Sequence, residues 1–228
     1  MLTEPERIER QLQCFLMQPD NVCAVYSDML VVDAEGRRQA QSYLELRLGA
    51  ETPPQGNLFV RLLSGNFMPA PCVMVRRNAI VAVGGYDESL FFEDLDMWLR
   101  LSLGFGFVYL PGQLVRYRMH PDSMSNAPHN WISMRRSNAR ILEKWLDAGL
   151  ADDQRSAVLD GVFWNGAMQL RVQDPVGARL SFAALMVDPR PGRRWLARLG
   201  GLPGASAVIR FFLPVYRLLR DFAGRSAP

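Results

Sequence analysis

The stretch FFEDLDMWLRL, residues 91–101, places three carboxylates at the start of an apolar segment. How the whole chain is interpreted depends on the role of these carboxylates. Glu93 and Asp94 lie at the beginning of that segment. A carboxylate in this position caps free backbone N–H groups and interacts favourably with the helix dipole. The same position also suits a group that accepts a proton during catalysis. The local pattern alone favours capping, so the surrounding sequence must decide between the two interpretations.

The apolar residues of this stretch have the period of an α-helix, which we predict over residues 94–103. The core face of this helix comprises Leu95, Trp98 and Leu99. Asp96 and Arg100 are four residues apart. Such a pair is typical of a surface salt bridge that stabilises a helix by about 0.3 kcal/mol.

Upstream of this stretch, helical and strand patterns alternate. The chain begins with TEPERIERQLQCFLMQ, which predicts an amphipathic helix with one apolar face made of Ile8, Leu12, Phe15 and Leu16. The segment VCAVYSDMLVVDAEGRRQ, residues 22–39, has β-branched and aromatic runs beside a DAEG turn and predicts a β-hairpin. A short helix over LFVRLLSGN and a strand over APCVMVRR follow.

Downstream, the pattern changes from mixed to purely helical. FVYLPG and LVRYRMH predict two strands separated by a Pro-Gly turn. After about residue 131, a helical period appears over 131–149, 153–171, 175–187 and 205–222. We therefore divide the chain into an α/β body at 1–130 and an α-helical tail at 131–228.

Composition limits the classes of protein to consider. Hydrophobic residues make up 49% of the chain, which supports a sizeable core and argues against disorder. Residues 1–130 contain 11 basic and 15 acidic residues, whereas 131–228 contain 15 basic and 8 acidic. This basic tail predicts contact with an anionic partner such as a membrane surface, or simply a solvated arginine-rich face. The tail carries no nucleic-acid-binding motif, and its aromatic residues have core spacing, so we expect no nucleic acid partner.

Three cysteines with no CxxC pair indicate a reduced, cytoplasmic protein. We expect no signal peptide, because charged residues follow Met1 closely. The segment 205–222 has a wide apolar face flanked by arginines. This pattern fits peripheral contact with the inner face of the cytoplasmic membrane, and equally fits docking on the protein's own body.

The segment from Gly65 to Ser125 closely resembles the C-terminal half of a family 2 glycosyltransferase domain. The matching motifs are VMVRR, GGYDE, FFEDLDMWLRL, YLP and YRMHPDSMS, in this order. Further upstream, TEPERIERQ resembles the helix after the family's metal-binding Asp-x-Asp, and VYSDMLVVDAEG resembles its next strand pair. The resemblance covers about residues 2–125 and does not include the tail.

This resemblance implies a partial GT-A fold, which is a Rossmann-like mixed α/β sheet with flanking helices, followed here by the helical tail. Residues 1–130 would form the acceptor-side half of the catalytic domain. The family transfers a sugar from a nucleotide diphosphate to an acceptor hydroxyl and inverts the anomeric centre. Nucleotide-diphosphate sugars and a glycan or lipid-linked acceptor of bacterial polysaccharide synthesis are therefore the expected substrates.

The resemblance also implies roles for individual residues of the 91–101 stretch. Asp94 occupies the position of the family's usual base, which takes the proton of the acceptor hydroxyl. Glu93 would orient the acceptor or raise the basicity of its neighbour. Trp98 is a candidate for lining the acceptor pocket, although a tryptophan at core spacing more often packs in the core.

Charged residues elsewhere are candidates for the remaining roles. The segment RYRMH, residues 116–120, has basic residues at alternate positions, namely Arg116, Arg118 and His120. We expect these three side chains to face a donor diphosphate together. His120 is also a candidate metal ligand. Arg76 and Arg77 follow a strand and would flank the acceptor. Solvated surface charges remain the alternative interpretation for these residues.

Three features of the family have no match in this sequence. They are the first strand with its IPTYN-like segment, the acidic pair that binds the nucleoside, and the Asp-x-Asp motif. Asp28 and Asp33 are the nearest substitutes, but they are five residues apart in the predicted hairpin. We expect a divalent metal, Mg²⁺ or Mn²⁺, in the complete enzyme but not on this chain alone. The chain would then be a truncated glycosyltransferase, inactive alone, with an open sheet edge that favours self-association. The alternative is a non-catalytic interaction module with the same ancestry.

Overall fold

The computed structural model describes residues 2–120, 123–124 and 127–200. It divides the chain into two compact units, Met1–Pro128 and His129–Pro228. The first unit contains a mixed sheet with helices, and the second contains helices. The segment 205–222, for which membrane contact is predicted, lies outside the described residues.

The first unit contains one four-stranded sheet with the order β1-β4-β2-β3. Its strands are β1 (Leu2–Thr3), β2 (Val22–Val32), β3 (Val73–Val75) and β4 (Gly106–Arg118). The two long strands, β2 and β4, are parallel, whereas β1 and β3 pair antiparallel with their neighbours. A parallel central pair requires a crossover connection, which here contains most of the helices of the unit.

The described residues of the first unit also form the α-helices α1 (Arg7–Leu16), α2 (Tyr43–Leu48), α3 (Phe59–Leu63), α4 (Arg77–Ala82) and α5 (Glu93–Ser102). The α5 helix leads through a short link into the first residue of β4. This mixed α/β arrangement confirms the predicted fold class and is consistent with a partial Rossmann-like fold.

The predicted pair of strands around the Pro-Gly turn is wrong, because β4 is a single strand of 13 residues. Its register against β2 shifts between Ser27, which faces Leu110, and Asp28, which faces Gln113. Pro111 and Gly112 are thus an insertion in a continuous ladder, and the positive φ of Gly112, 127°, fits this distortion.

The predicted hairpin over 22–39 is also wrong in its second arm. The β2 strand is 11 residues long, but the chain that returns from the DAEG turn makes only an isolated bridge between Val32 and Arg38. The β2 strand instead lies inside the sheet, with β4 along one side and the short strand β3 on the other.

The α1 helix forms as predicted, but the predicted apolar face is only partly buried. Phe15 is buried, whereas Leu12 and Leu16 are 50% and 77% exposed. Gln11 lies in the core instead, where its side-chain amide donates to the carbonyls of Val25 and Cys72. A buried polar group needs such partners, and these two carbonyls provide them.

In the second unit, the described residues form α6 (Trp131–Leu146), α7 (Asp152–Arg171), α8 (Pro175–Ala184) and α9 (Pro191–Gly200). Consecutive helices of this series pack against each other. Phe163 on α7 meets Phe182 on α8 edge to face, with 6.1 Å between the ring centroids. In the described part of the chain, none of the helices combines the length and apolar character that crossing a bilayer requires.

Candidate functional site

The carboxylate of Asp94 lies in the first turn of α5, where it is half-buried. Its Oδ1 accepts a hydrogen bond from the N–H of Leu95 at 2.7 Å, and its Oδ2 accepts one from the side-chain amide of Asn66 at 3.2 Å. The residue before the helix, Phe92, provides no side-chain cap. Asp94 therefore has part of the capping role that the local pattern predicts, together with a partner from a distant part of the chain.

A short relay of hydrogen bonds fixes the position of Asn66. Its side-chain oxygen accepts from the N–H of Met68 at 3.0 Å, and the carbonyl of Met68 accepts from the indole N–H of Trp98 at 2.8 Å. Because Asn66 is held at its oxygen, its amide group is directed toward Asp94. Trp98 on α5 thus orients the partner of Asp94 on the same helix.

Among the residues that the structure describes, none pairs a cation with Asp94, and this determines the electrostatics of its carboxylate. Burial raises the pKa of the Asp94 carboxyl, and the nearby charge of Glu93 raises it further. The hydrogen bonds from Leu95, Asn66 and the backbone of Ala70 lower the pKa without cancelling that effect. A carboxylate with a raised pKa, fixed in place and still partly accessible, has the properties of a general base.

Asp96, two residues further along, forms the predicted salt bridge with Arg100, but this pair is buried and not at the surface. Asp96 is fully buried, and its carboxylate pairs with the guanidinium of Arg100 at 2.8 Å. Arg100 also donates to the carbonyls of Val83 and Gly85, at 2.7 Å for Gly85. This buried pair therefore connects α5 to the turn that follows α4.

Trp98 does not line a pocket in this structure. Its side chain is only 1% exposed, and its ring packs edge to face with Phe107 in the core. The core interpretation that the sequence left open is the one that the structure favours, because no surface of the ring remains for an acceptor. Trp98 is linked to the site only through the relay to Asn66.

The two arginines that follow β3 differ from each other. The guanidinium of Arg76 donates to the carbonyl of Val22 at 2.9 Å and lies over the ring of Phe15, 4.8 Å from its centroid. This side chain therefore ties β3 to α1 and β2. Arg77 is exposed at the start of α4. The structure gives neither of them a contact with Asp94, and their acceptor-binding roles stay predictions.

The predicted diphosphate-binding residues lie at the end of β4. Arg116 and Arg118 are both exposed and two residues apart on the strand, so they share a face as predicted. Arg116 is paired with Glu4 at 3.1 Å, which neutralises part of its charge. His120 is half-buried and lies two residues beyond the end of the strand, where the strand alternation no longer determines its direction.

Metal ligands do not cluster within residues 2–120, 123–124 and 127–200, where no group of three His, Cys, Asp or Glu residues is placed to bind an ion. Asp28 instead accepts the backbone N–H groups of Met29 and Leu44, at 2.7 and 3.0 Å. Asp33 is paired with Arg37 at 2.7 Å. These carboxylates serve local structure, so the described residues do not fit a divalent metal site, and we derive no chemical step through one.

Two residues of the site were not singled out by sequence reasoning. Asn66 contacts Asp94 across 28 positions of sequence, and no local pattern reveals such a contact. Tyr86 lies close enough to Asp94 and Glu93 for their charges to affect it: burial raises the pKa of its phenol, and those two carboxylates raise it further. The GGYDE motif contains this tyrosine, but the motif itself gives it no role.

Comparison with known proteins adds one relative. The chain is similar to the amylovoran biosynthesis glycosyltransferase AmsE of Erwinia amylovora, with 30% identity over 129 residues. The match covers 56% of this chain and 44% of the relative, so the chain spans less than half the length of the curated protein that it matches. No family model matches the chain. A distant relationship of this kind supports a glycosyltransferase role in general terms.

Proposed function

We propose that this chain is the acceptor-side part of an inverting family 2 glycosyltransferase with a GT-A fold, which uses a nucleotide-diphosphate sugar as donor. The observation that carries the proposal is the Asp94 carboxylate, which is half-buried at the start of α5, is held by Asn66, and has no cationic partner within the described part of the chain. The similarity to a glycosyltransferase supports this assignment independently of the site.

In the proposed reaction, an acceptor hydroxyl attacks the anomeric carbon of the donor sugar. As the new C–O bond forms, the bond to the diphosphate breaks, and Asp94 accepts the proton of the hydroxyl. The raised pKa of Asp94 makes its carboxylate a stronger base than an exposed aspartate. The charge of Glu93 contributes to that raised pKa, and its carboxylate is available to bind another hydroxyl of the acceptor.

The leaving diphosphate needs positive charge, which we assign to Arg118 and Arg116 at the end of β4. Arg118 is the stronger candidate, because Arg116 is already paired with Glu4. His120 remains a predicted contact for the divalent metal that is expected in the complete enzyme. The metal's remaining ligands would have to come from outside the described residues.

The acceptor is proposed to be a glycan or a lipid-linked sugar of bacterial polysaccharide synthesis. This proposal rests on the relative, which is named for the biosynthesis of amylovoran. Peripheral membrane contact through 205–222 would bring the site to a lipid-linked acceptor. Flotation with anionic liposomes, with and without residues 203–228, tests this contact, and equal binding of the two chains would refute it.

The test of the main proposal is sugar transfer by a chimera, in which the part of the Erwinia amylovora relative outside the match completes this chain. The Asp94→Asn variant should lower turnover at least about 100-fold, because it removes the base, while the circular dichroism spectrum stays unchanged. The matched control is Glu88→Gln, which changes an exposed carboxylate six residues earlier and should leave turnover near normal. Near-normal turnover of Asp94→Asn would contradict the assignment.

The second candidate function is a non-catalytic module that associates with a second copy of this chain. The observation that favours it is the α1 surface, where Ile8, Leu12 and Leu16 are each at least half exposed. The β3 strand is at the end of the strand order and presents an open edge. If light scattering shows a dimer that Leu16→Lys dissociates, and the chimera transfers no sugar, this second candidate is the better account.

A further inference from the structure

The turn between α4 and α5 is defined by two consecutive glycines. Gly84 and Gly85 have φ angles of 86° and 77°, in the left-handed region that residues with a side chain rarely adopt. A Cβ atom at either position would meet nothing within 4 Å. The glycines are therefore required by the path of the backbone and not by close packing, and that path sets the direction of the next residue, Tyr86.

The side chain of Arg100 holds this turn against α5. Its guanidinium donates to the carbonyls of Val83 and Gly85, which lie on either side of Gly84. It is oriented by the Asp96 carboxylate, which accepts from the Arg100 Nε at 2.9 Å and is fully buried. Because Asp96 and Arg100 belong to the same helix as Asp94, the turn has a fixed position relative to the candidate base.

Tyr86 directly follows the turn and remains 42% exposed. Its phenol lies within electrostatic reach of Asp94 and Glu93, which are also partly accessible. The tryptophan of α5, by contrast, is buried in the core. Tyr86 is therefore a partly exposed aromatic residue that follows a turn held by Arg100 against the helix of the two carboxylates.

We propose that Tyr86 is an acceptor contact of the site, with its ring against the apolar face of the acceptor sugar while Glu93 and Asp94 bind the sugar's hydroxyls. Asp96 and Arg100 are positioning residues that hold Tyr86 through Gly85. A pyranose ring has an apolar C–H face and a rim of hydroxyls, and an aromatic ring beside carboxylates matches both. This inference rests on the proposed function and names the residue that selects the acceptor.

The test uses the 228-residue chain and saturation-transfer NMR, with methyl β-D-glucopyranoside and methyl β-D-galactopyranoside as probes at millimolar concentration. Wild type should transfer saturation to the ring C–H protons of at least one probe. Tyr86→Ala should reduce this transfer about three- to tenfold, the size expected for the loss of one aromatic contact, whereas Tyr86→Phe should retain most of it.

Trp131 provides a matched control, because it is 43% exposed and lies in the other unit. Trp131→Ala should leave the signal unchanged. The inference is wrong if wild type gives no signal with either probe. It is also wrong if Tyr86→Ala behaves like wild type, or if Trp131→Ala reduces the signal as much as Tyr86→Ala does.

Kinetics of the chimera separate this inference from the proposed function. Tyr86→Ala should raise the KM for the acceptor about three- to tenfold and leave the KM for the donor unchanged. Arg100→Lys, which keeps the charge but loses the planar fork, should shift the acceptor KM in the same direction. A chimera that transfers sugar with an unchanged acceptor KM in Tyr86→Ala would refute the contact and leave the function intact. A chimera without activity, with the NMR signal lost in Tyr86→Ala, would refute the function alone.

Discussion

Asp94 in the α/β unit and two buried aspartates of the helical unit, Asp174 and Asp188, differ in the partners of their carboxylates. In the helical unit, Asp174 has a side chain that is 2% exposed, and it accepts two hydrogen bonds from Arg136, at 2.8 and 2.9 Å. Asp188 in the same unit is fully buried and pairs with Arg190 at 2.8 Å. In the α/β unit, the partners of Asp94 among the described residues are neutral hydrogen-bond donors, the backbone N–H of Leu95 and the amide of Asn66.

The pKa directions follow this difference in partners. The guanidinium of Arg136 lowers the pKa of Asp174. Burial acts to raise the pKa of Asp188, but the hydrogen bonds and charge of Arg190 outweigh it, so that pKa is also lowered. The pKa of Asp94 is raised. An ionised carboxylate that is partly buried without a cation beside it lowers the stability of the folded state. Such a cost is usual for residues that take part in catalysis or binding.

Asp96 shows that this is not a general feature of the α/β unit. It lies two residues from Asp94 on the same helix, is fully buried, and pairs with Arg100. The unit therefore provides a cation for this buried carboxylate. The contrast between Asp94 and the three paired aspartates supports the proposed role of Asp94.

The largest effect on stability is expected from breaking the Asp96 pair. Arg100→Leu would leave a buried carboxylate without its cation, which should lower the free energy of unfolding by about 3 kcal/mol. Urea denaturation measures this change. Arg77→Leu, which alters an exposed arginine, is the control and should stay within about 0.5 kcal/mol of wild type. A similarly small change in the free energy of unfolding for Arg100→Leu would mean that burial of Asp96 does not depend on its ion pair with Arg100.

A smaller loss of stability is expected for Asp174→Asn. Because the pKa of Asp174 is lowered by folding, its ion pair stabilises the folded state above the ordinary pKa of an aspartate, about 3.9. That contribution is lost as the pH falls through the lower, folded-state pKa. Asp174→Asn should therefore be less stable than wild type at pH 7, and the difference should shrink on acidification. A difference that does not change with pH would refute the ionic origin.

Asp94→Asn should have the smallest effect on stability, and of opposite sign. Its raised pKa means that the ionised carboxylate destabilises the folded state at neutral pH, and that this cost is absent once the group is protonated. The neutral amide removes the charge and can still accept from the N–H of Leu95. Urea unfolding at pH 7 should thus find Asp94→Asn at least as stable as wild type. A clear loss of stability would place Asp94 with the structural carboxylates.

Much of the fold could be predicted from local pattern. The helix predicted over 94–103 is found at Glu93–Ser102, and the helical period of the tail predicts α6, α7 and α8 to within a few residues. These elements have strong periodicity, and their own residues determine them. The α9 helix was not predicted, because its glycines and charged residues weaken the apolar period.

The failures come from partners that are distant in sequence. Pro111 and Gly112 have the composition of a turn, but β2 pairs with β4 on both sides of them and keeps the strand continuous. Gln11 has no reason to be buried in α1 until the carbonyls of Val25 and Cys72 are placed beside it. In the candidate site, too, the partner that is distant in sequence could not be predicted. Asp94 could be proposed from the family resemblance, whereas its contact with Asn66 could be found only in the structure.

The pH dependence of kcat/KM in the chimera is the most direct test that Asp94 is the base. The rate should rise with pH as Asp94 loses its proton, and the acid limb should move when the neighbours of Asp94 change. Glu93→Gln removes a charge that raises the pKa of Asp94, so the limb should move to lower pH. Asn66→Ala removes a hydrogen bond that lowers the pKa, so the limb should move to higher pH. Opposite shifts are the predicted result, and an acid limb that neither substitution moves would contradict the assignment of Asp94.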